Sequence, residues 1–166
     1  MTGCWLSDFT VMVSLKDLLS QESKENLLQS IGRGDIIRMK LTTAEGITPK
    51  NPGDTDRNKY FVVLGKTPDG GLIGFVIINT RINEKLSPKL KALHYPISSS
   101  KYPFLEINRF VFCGDLKEIS SDVFAHRYKC ESFGKIADDD MELIIATVIQ
   151  SGNVSPKRLK KFGLLK

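Results

Sequence analysis

Apolar residues in the first half of the chain follow the patterns of β-strands. Ile37, Met39 and Leu41 alternate with basic residues. This period of two predicts a strand over 35–41 with one buried face. The run Tyr60–Leu64 is continuously apolar, which predicts a second strand that is buried on both faces.

The second strand is predicted to pair with a third strand in a hairpin. Leu72–Thr80 is mostly apolar, and Pro68–Gly71 supplies the turn residues between the two strands. Gly74, inside the third strand, permits the bulge or tight bend that a small barrel requires. Long polar segments over 42–59 and 81–103 flank the hairpin, and loops of such length within compact domains are usually functional or mobile. One helical turn is expected near Pro88–Lys91 in the second segment.

Helical patterns occur at both ends of the chain. Ser14 is predicted to cap a helical region over 14–31. The apolar positions in this region change phase, which predicts two short helices or one bent helix. Another amphipathic helix is predicted after Asp138–Asp140, whose charges suit a helix N-terminus better than a metal site. Its apolar face is formed by Met141, Ile144, Ile145, Val148 and Ile149. Ser155 caps a last short helix that has Pro156 in its first turn.

Short strands are also predicted over 104–107, 109–113 and 116–119, before an irregular stretch. The order of elements favours an α+β fold that is mainly β, built as a small, strongly bent barrel. We expect an N-terminal helical extension over 1–31 and a barrel with C-terminal helices over 32–166, forming a single domain overall.

Composition narrows the class of protein. The chain has 166 residues, of which 41% are hydrophobic and 26% are charged, as expected of one globular domain. The longest apolar run, Leu72–Ile78, is far shorter than the roughly 20 residues of a membrane helix, so neither a membrane span nor a signal peptide is expected. Cys4, Cys113 and Cys130 form an odd, widely spaced set, which argues against a disulfide framework or a zinc site and favours the cytoplasm.

Basic residues are concentrated in two segments of a chain whose net charge is +5. Segment 81–103 has five basic residues and one acid, and segment 151–166 has five basic residues and no acid. Such segments could line a surface for a polyanion such as RNA, or they could be solvated faces of a basic protein.

The order and spacing of the strands resemble a known family. Gly34–Leu41 is similar to the first strand of the PemK/MazF toxins, which begins with a Gly-Asp-Ile-like signature. Lys59–Leu64 and Phe75–Thr80 are similar to their second and third strands, although the Arg-Pro pair that usually opens the second strand is absent. Ser155–Leu164 resembles the end of some longer relatives. The resemblance covers about residues 32–164.

This resemblance implies a small SH3-like barrel and a metal-independent endoribonuclease activity. Family members cut single-stranded RNA by attack of a 2′-hydroxyl on the neighbouring phosphate, which leaves a cyclic phosphate and a free 5′-hydroxyl. They use no cofactor and form homodimers. The implied partners are therefore single-stranded RNA, a second copy of the chain and an antitoxin whose disordered acidic tail fills the groove.

The resemblance also implies a catalytic set. Lys59 stands at the position of the family arginine, and Thr80 stands where a threonine ends the third strand. Arg109 and Glu106 lie where several relatives carry an arginine and an acid. Cations at these positions would stabilise the phosphorane, and Glu106 would serve in acid–base catalysis. The alternatives are a loop charge for Lys59, a strand-end hydroxyl for Thr80, and a surface ion pair for the other two.

Contacts to nucleic acid are expected from the basic loops. The residues concerned are Arg57, Arg81, Lys89, Lys91 and His94. His94 is a second acid–base candidate and lies beside Tyr95, where a nucleobase could stack. Loop histidines without function are the other interpretation. No further ligands at metal-binding spacing accompany the histidines, so no metal is expected.

A second class of function remains open, in which the same barrel binds nucleic acid or a protein without catalysis. An enzyme that acts on a small metabolite has little support. The sequence contains no cofactor fingerprint, no nucleophile elbow and no glycine-rich phosphate loop.

Overall fold

The computed structural model of the chain describes residues 15–48, 51–129 and 132–166. The chain divides into two compact units, which comprise residues 1–31 and 32–166. None of the helices in the described ranges is both long enough and apolar enough to cross a membrane.

Within the described residues, the first unit contains one continuous helix, α1 (Leu15–Ser30). Gln21 donates a hydrogen bond to Glu25 one turn further on, at 3.2 Å. The phase change in the apolar pattern therefore does not divide the helix. The serine predicted to cap it, Ser14, lies outside the described residues.

An antiparallel sheet forms the framework of the second unit. Its strands within the described residues are β1 (Asp35–Thr42), β2 (Asp56–Lys66), β3 (Leu72–Asn79), β4 (His94–Ile97), β5 (Arg109–Phe112), β6 (Lys117–Ser120) and β7 (Ser132–Lys135). Neighbouring strands follow the order β4-β5-β3-β2-β1-β7. One edge of β3 pairs with β6 at the start of the strand and with β5 at its end. The sheet curls strongly into a half-barrel.

Four further helices accompany the sheet within the described part of the second unit. They are α2 (Pro88–Lys91), α3 (Ser121–Arg127), α4 (Asp138–Gln150) and α5 (Pro156–Lys161). Serine side chains at Ser87, Ser120 and Ser155 accept hydrogen bonds from backbone N–H groups in the first turns of α2, α3 and α5. The predictions of an amphipathic helix after the acidic triplet and of a last helix capped by Ser155 are confirmed.

Strand β2 is buried on both faces, as its apolar run predicts. Residues 61–64 have no exposed surface. Val62 belongs to the apolar cluster that includes Ile144 of α4. Phe61 lies on the opposite face, where its ring centroid is 4.4 Å from that of Phe75. The middle of the sheet therefore lies between two apolar layers, and polar side chains collect where the strands leave this core.

Two glycines allow the C-terminal segment to pack closely on the β2–β3 hairpin. Gly65 and Gly74 are paired at an irregularity in the ladder. A Cβ atom on Gly65 would overlap the carbonyl oxygen of Phe162, and one on Gly74 would lie 2.8 Å from the Phe162 ring. The irregularity lies in β2, between Val63 and Gly65, and Gly74 of β3 is opposite it. The close approach of a buried aromatic residue explains why glycine is required at Gly74.

One predicted strand is wrong. Over 104–107 the structure has a 3-10 turn, Pro103–Leu105, in place of a strand. Glu106 follows with φ 65° and ψ −43°, and the Ile107 N–H donates to the carbonyl of Leu105 at 2.7 Å. The proline that opens the turn fixes its own φ and lacks an N–H donor, so it favours the turn over a strand ladder.

Other elements were not predicted from the pattern. β4 lies within the basic loop 81–103, where Pro96 obscures its strand character but suits a strand at the end of a sheet. Helix α3 and strand β7 lie in the stretch expected to be irregular. The helical turn predicted within the same basic loop is confirmed as α2.

Candidate functional site

A cleft of about 1070 Å³ opens where β2 leaves the core and β3 ends. Along β2 the residues change from exposed over 56–58 to half-buried at Lys59 and Tyr60, and then to buried. The remaining walls come from Arg38 of β1, from the connection that follows β3, from the start of β4 and from β5. The curled sheet thus brings side chains distant in sequence to one opening.

The cleft is strongly basic. The cationic residues that line it are Arg38, Arg57, Lys59, Arg81, Lys85 and Arg109. Among the described residues that line it, Glu84 is the acidic one. Such an excess of positive charge in a concave surface attracts anions and raises their local concentration.

Lys59 is a half-buried cation of the cleft. Its Nζ donates a hydrogen bond to Oδ1 of Asn79 at 2.9 Å. Burial, and to a smaller extent the positive charges of Arg57 and Arg109, lower the pKa of Lys59 from 10.5 to about 8. Binding of an anion next to Lys59 would therefore relieve an unfavourable charge.

Arg109 is held against an aromatic ring. Its Cζ atom lies 4.4 Å from the centroid of the Tyr60 ring, and Arg38 lies 5.8 Å from the same centroid. The Nε–H of Arg109 donates to the carbonyl of Leu105 at 3.4 Å. Stacking on tyrosine and a single bond through Nε fix the guanidinium plane, and the guanidinium has four other N–H groups with which to grip a phosphate.

His94 enters the cleft from the start of β4. Its Nδ1 lies 3.0 Å and 3.2 Å from the carbonyl oxygens of Leu90 and Lys91, and its ring stacks on that of Phe112 at 4.7 Å between centroids. Because carbonyl oxygens only accept hydrogen bonds, they favour the tautomer with the proton on Nδ1. Nε2 of the neutral ring is then a proton acceptor.

The structure brings together most of the residues singled out from the sequence. Those that line the cleft are Arg57, Lys59, Thr80, Arg81, His94 and Arg109. Three others do not: Glu106 is exposed on the turn after Pro103–Leu105, and Lys89 and Lys91 lie on α2. The acid–base role expected of Glu106 therefore has no support from its position.

Several lining residues were missed from the sequence. Arg38 could have been identified from the sequence, because it is a basic residue on the polar face of the first predicted strand. Asn79 and Tyr60 had none, because their contacts with Lys59 and Arg109 depend on the register of β2 and β3 and on the curl of the sheet.

A second polar cluster, which we call the Asp140 cluster, consists of Tyr95, Lys101, Tyr102 and Asp140. Tyr95 donates to Oδ1 of Asp140 at 2.6 Å, Tyr102 donates to Oδ2, and Lys101 Nζ is 2.9 Å from Oδ2. The backbone N–H of Ala137, the N-cap residue of α4, donates to the Tyr102 hydroxyl at 3.0 Å. This cluster ties the start of α4 to β4 and to the loop after it.

The donors around Asp140 determine its charge state. Burial acts to raise the pKa of Asp140, but the hydrogen bonds from Tyr102, Tyr95 and Lys101 outweigh it and leave the pKa lowered. Burial and the bond to Asp140 raise the pKa of Tyr95 to about 12. The acidic triplet thus lies in the first turn of α4, where Asp140 also connects the helix to β4 and the following loop. The described residues contain no group of three or more His, Cys, Asp or Glu side chains that could hold a metal.

Comparison of the sequence with protein-family models found no match, and comparison with curated proteins found none either.

Proposed function

We propose that the protein is an endoribonuclease that cleaves single-stranded RNA in the basic cleft. The observation that carries this proposal is the composition of the cleft, in which Lys59, with its lowered pKa, lies among other cations and close to Arg109. A polyanion supplies the negative charge that this surface lacks. A single strand suits a cleft of about 1070 Å³ that follows a curled sheet.

The cleft contains side chains suited to each part of the reaction. Nε2 of His94 takes the proton of the 2′-hydroxyl, whose oxygen then bonds to the adjacent phosphorus. Arg109 and Lys59 stabilise the extra negative charge of the phosphorane. The bond from phosphorus to the 5′-oxygen breaks, and that oxygen receives a proton from Lys59, whose lowered pKa of about 8 suits a proton donor. The products are a 2′,3′-cyclic phosphate and a free 5′-hydroxyl.

Binding of the strand on both sides of this phosphate falls to the other cleft residues. Arg57 and Arg81 are exposed cations, and the exposed hydroxyl of Thr80 lies between β3 and Arg81. These groups can bond phosphate oxygens without contacting bases.

The finer fold and the partners belong to the same proposal. What supports the finer fold is the half-barrel with its buried β2–β3 hairpin, followed along the chain by the C-terminal helices. We therefore propose an SH3-like barrel of this type that forms a homodimer. Its inhibitor would be an antitoxin with an acidic segment that competes with RNA for the cleft.

The test is cleavage of a long single-stranded RNA by the purified protein in EDTA, with chemical analysis of the product ends. Cyclic-phosphate and 5′-hydroxyl ends are expected, and Arg109→Ala should lower the rate by about 10²-fold or more, since it removes a phosphate-binding charge at the reacting centre. The matched control is Lys160→Ala, an exposed cation on α5, which should leave the rate unchanged. Intact RNA in the presence of folded protein would contradict the proposal.

A second candidate function is binding of RNA without cleavage. The observation that favours it is the position of Glu106 outside the cleft, which leaves Glu84 as the carboxylate among the described lining residues. Lys59→Glu separates the two functions. A nuclease should lose turnover by orders of magnitude, whereas a binding protein should lose affinity and show a shallower dependence on salt.

A further inference from the structure

We infer that the bound RNA strand continues out of the cleft into a second basic groove, where phosphates flanking the reacting one contact Lys40 and Lys129. This inference rests on the proposed function, because it extends the path of the same RNA strand. It assigns a distinct role to residues that take no part in the chemistry.

The second groove adjoins the cleft. It has a volume of about 290 Å³ and lies between β1, the start of β2 and the C-terminal end of α3. Arg38 and Asn58 line both the cleft and this groove. A ligand that leaves the cleft past these two residues therefore enters the groove directly.

The register of the β1–β2 ladder explains this continuity. Arg38 is paired with Tyr60, and Lys40 is paired with Asn58. Alternate residues of a strand lie on the same face, so these pairs follow each other at about 7 Å along the ladder. Ile36 and Val62, the preceding pair on this face, are completely buried. The same face thus changes from core to cleft to groove within a few residues.

The charges of the groove are arranged for a polyanion. Arg127 is already engaged, since its Nη1 lies 2.6 Å from Oε1 of Glu45 and 3.5 Å from the carbonyl oxygen of Lys40. It therefore serves to hold α3 beside β1. Lys40 and Lys129 also line this groove and are exposed, and they are the cations best placed to meet phosphates.

The far end of the groove has the opposite charge. Asp56 is paired with Thr42 at the end of the ladder and is the acidic residue among the described groove-lining residues. A carboxylate at this point repels phosphate, so the favourable path ends there. The length from the cleft to Asp56 is suited to a few nucleotides of a single strand.

The experiment compares binding of two non-cleavable RNAs, fully 2′-O-methylated, of about 4 and about 12 nucleotides, a range covered by single-strand binding sites. Wild-type protein should bind the longer RNA at least tenfold more tightly. The double variant Lys40→Ala/Lys129→Ala should lose most of this advantage and should bind the shorter RNA as wild type does. For the longer RNA, the slope of log affinity against log salt concentration should become shallower by roughly 1.4, because two phosphate contacts are lost.

Two further variants distinguish failure of the inference from failure of the proposed function. Lys157→Ala/Lys160→Ala removes two exposed cations of α5 and should change neither affinity. Lys59→Ala should weaken binding of both RNAs. If Lys59→Ala does so while Lys40→Ala/Lys129→Ala changes nothing, the second groove is not part of the path. If wild-type protein binds neither RNA, the proposed function itself is wrong.

Discussion

The cleft and the Asp140 cluster use the same kinds of side chain for opposite purposes. In the Asp140 cluster, Lys101 is close to Asp139 and Asp140, and each tyrosine hydroxyl donates to a carboxylate oxygen. In the cleft, Lys59 is surrounded by arginines and hydrogen-bonds a neutral amide. Charges that are balanced within the chain stabilise the fold, whereas charges left in excess are available to a ligand.

The two lysines show this difference directly. Hydrogen bonds to Asp139 and Asp140 raise the pKa of Lys101 above its ordinary value. Burial and neighbouring arginines lower the pKa of Lys59. A lysine whose charge is disfavoured in the free protein gains most from an anionic partner, and perturbed groups of this kind are concentrated at functional sites.

The largest effect that separates the two regions is expected for Asp140→Ala. It would leave two tyrosine hydroxyls and Lys101 without their shared acceptor and should lower the free energy of unfolding by about 2–3 kcal/mol. Chemical denaturation measures this loss. Asp139→Ala is the matched control, because the Asp139 side chain is 71% exposed and its ion pair should contribute under about 1 kcal/mol. If Asp140→Ala lost as much RNA affinity under native conditions as Arg109→Ala does, the Asp140 cluster would not be separate in function from the cleft.

An intermediate effect is expected from pH. Because Lys59 loses its proton around pH 8 in the folded protein, RNA affinity should fall by about tenfold between pH 7 and pH 9. Lys59→Arg should remove this fall, since arginine stays charged. A wild-type affinity that is constant over this range would show that Lys59 does not bind phosphate.

Lys59 should make the free energy of unfolding rise with pH, whereas it makes RNA affinity fall with pH. The pKa of Lys59 is about 8 in the folded chain and near 10.5 when solvated. Between these values the unfolded chain binds more protons, so the contribution of Lys59 to stability rises with pH. The residue is therefore a cost to the fold under the conditions in which it would serve RNA binding.

The smallest effect is expected at Glu106, which has the one positive φ among the described non-glycine residues. Glu106→Gly should relieve this conformation and raise the free energy of unfolding by about 0.5–1 kcal/mol. Glu106→Gln keeps the side-chain size and should change neither stability nor cleavage. A large loss of cleavage in Glu106→Gln would bring this carboxylate back into the reaction.

The sequence predicted the centre of the fold better than its periphery. Regular alternation over 35–41 and the apolar run over 60–64 identified β1 and β2, because burial on one or two faces determines those patterns. β4 and β7 are short and lie at opposite ends of the sheet order, where burial imposes little pattern. The turn at Glu106 depends on a proline and a local hydrogen bond that apolar periodicity does not report.

The sequence predicted the charge of the cleft but not the set of residues that line it. Positive charge near Arg57, Lys59 and Arg81 is visible in the sequence, but which cations share one cleft depends on the register and curl of the sheet. Lys89 and Arg81 lie in the same basic segment, yet only the latter lines the cleft. The aromatic support of Arg109 by Tyr60 follows from tertiary structure alone.

The packing of Phe162 on the Gly65–Gly74 pair also has a consequence for biosynthesis. Ribosomes synthesise all the described strands before Phe162, so the β2–β3 hairpin emerges with the surface at Gly65 and Gly74 not yet covered by the Phe162 ring. The half-barrel cannot reach its final packing until the segment containing Phe162 has left the exit tunnel. A chain released before that residue would leave the surface at Gly65 and Gly74 without the ring that covers it, and such exposed apolar surface would make the chain a substrate for quality-control proteases.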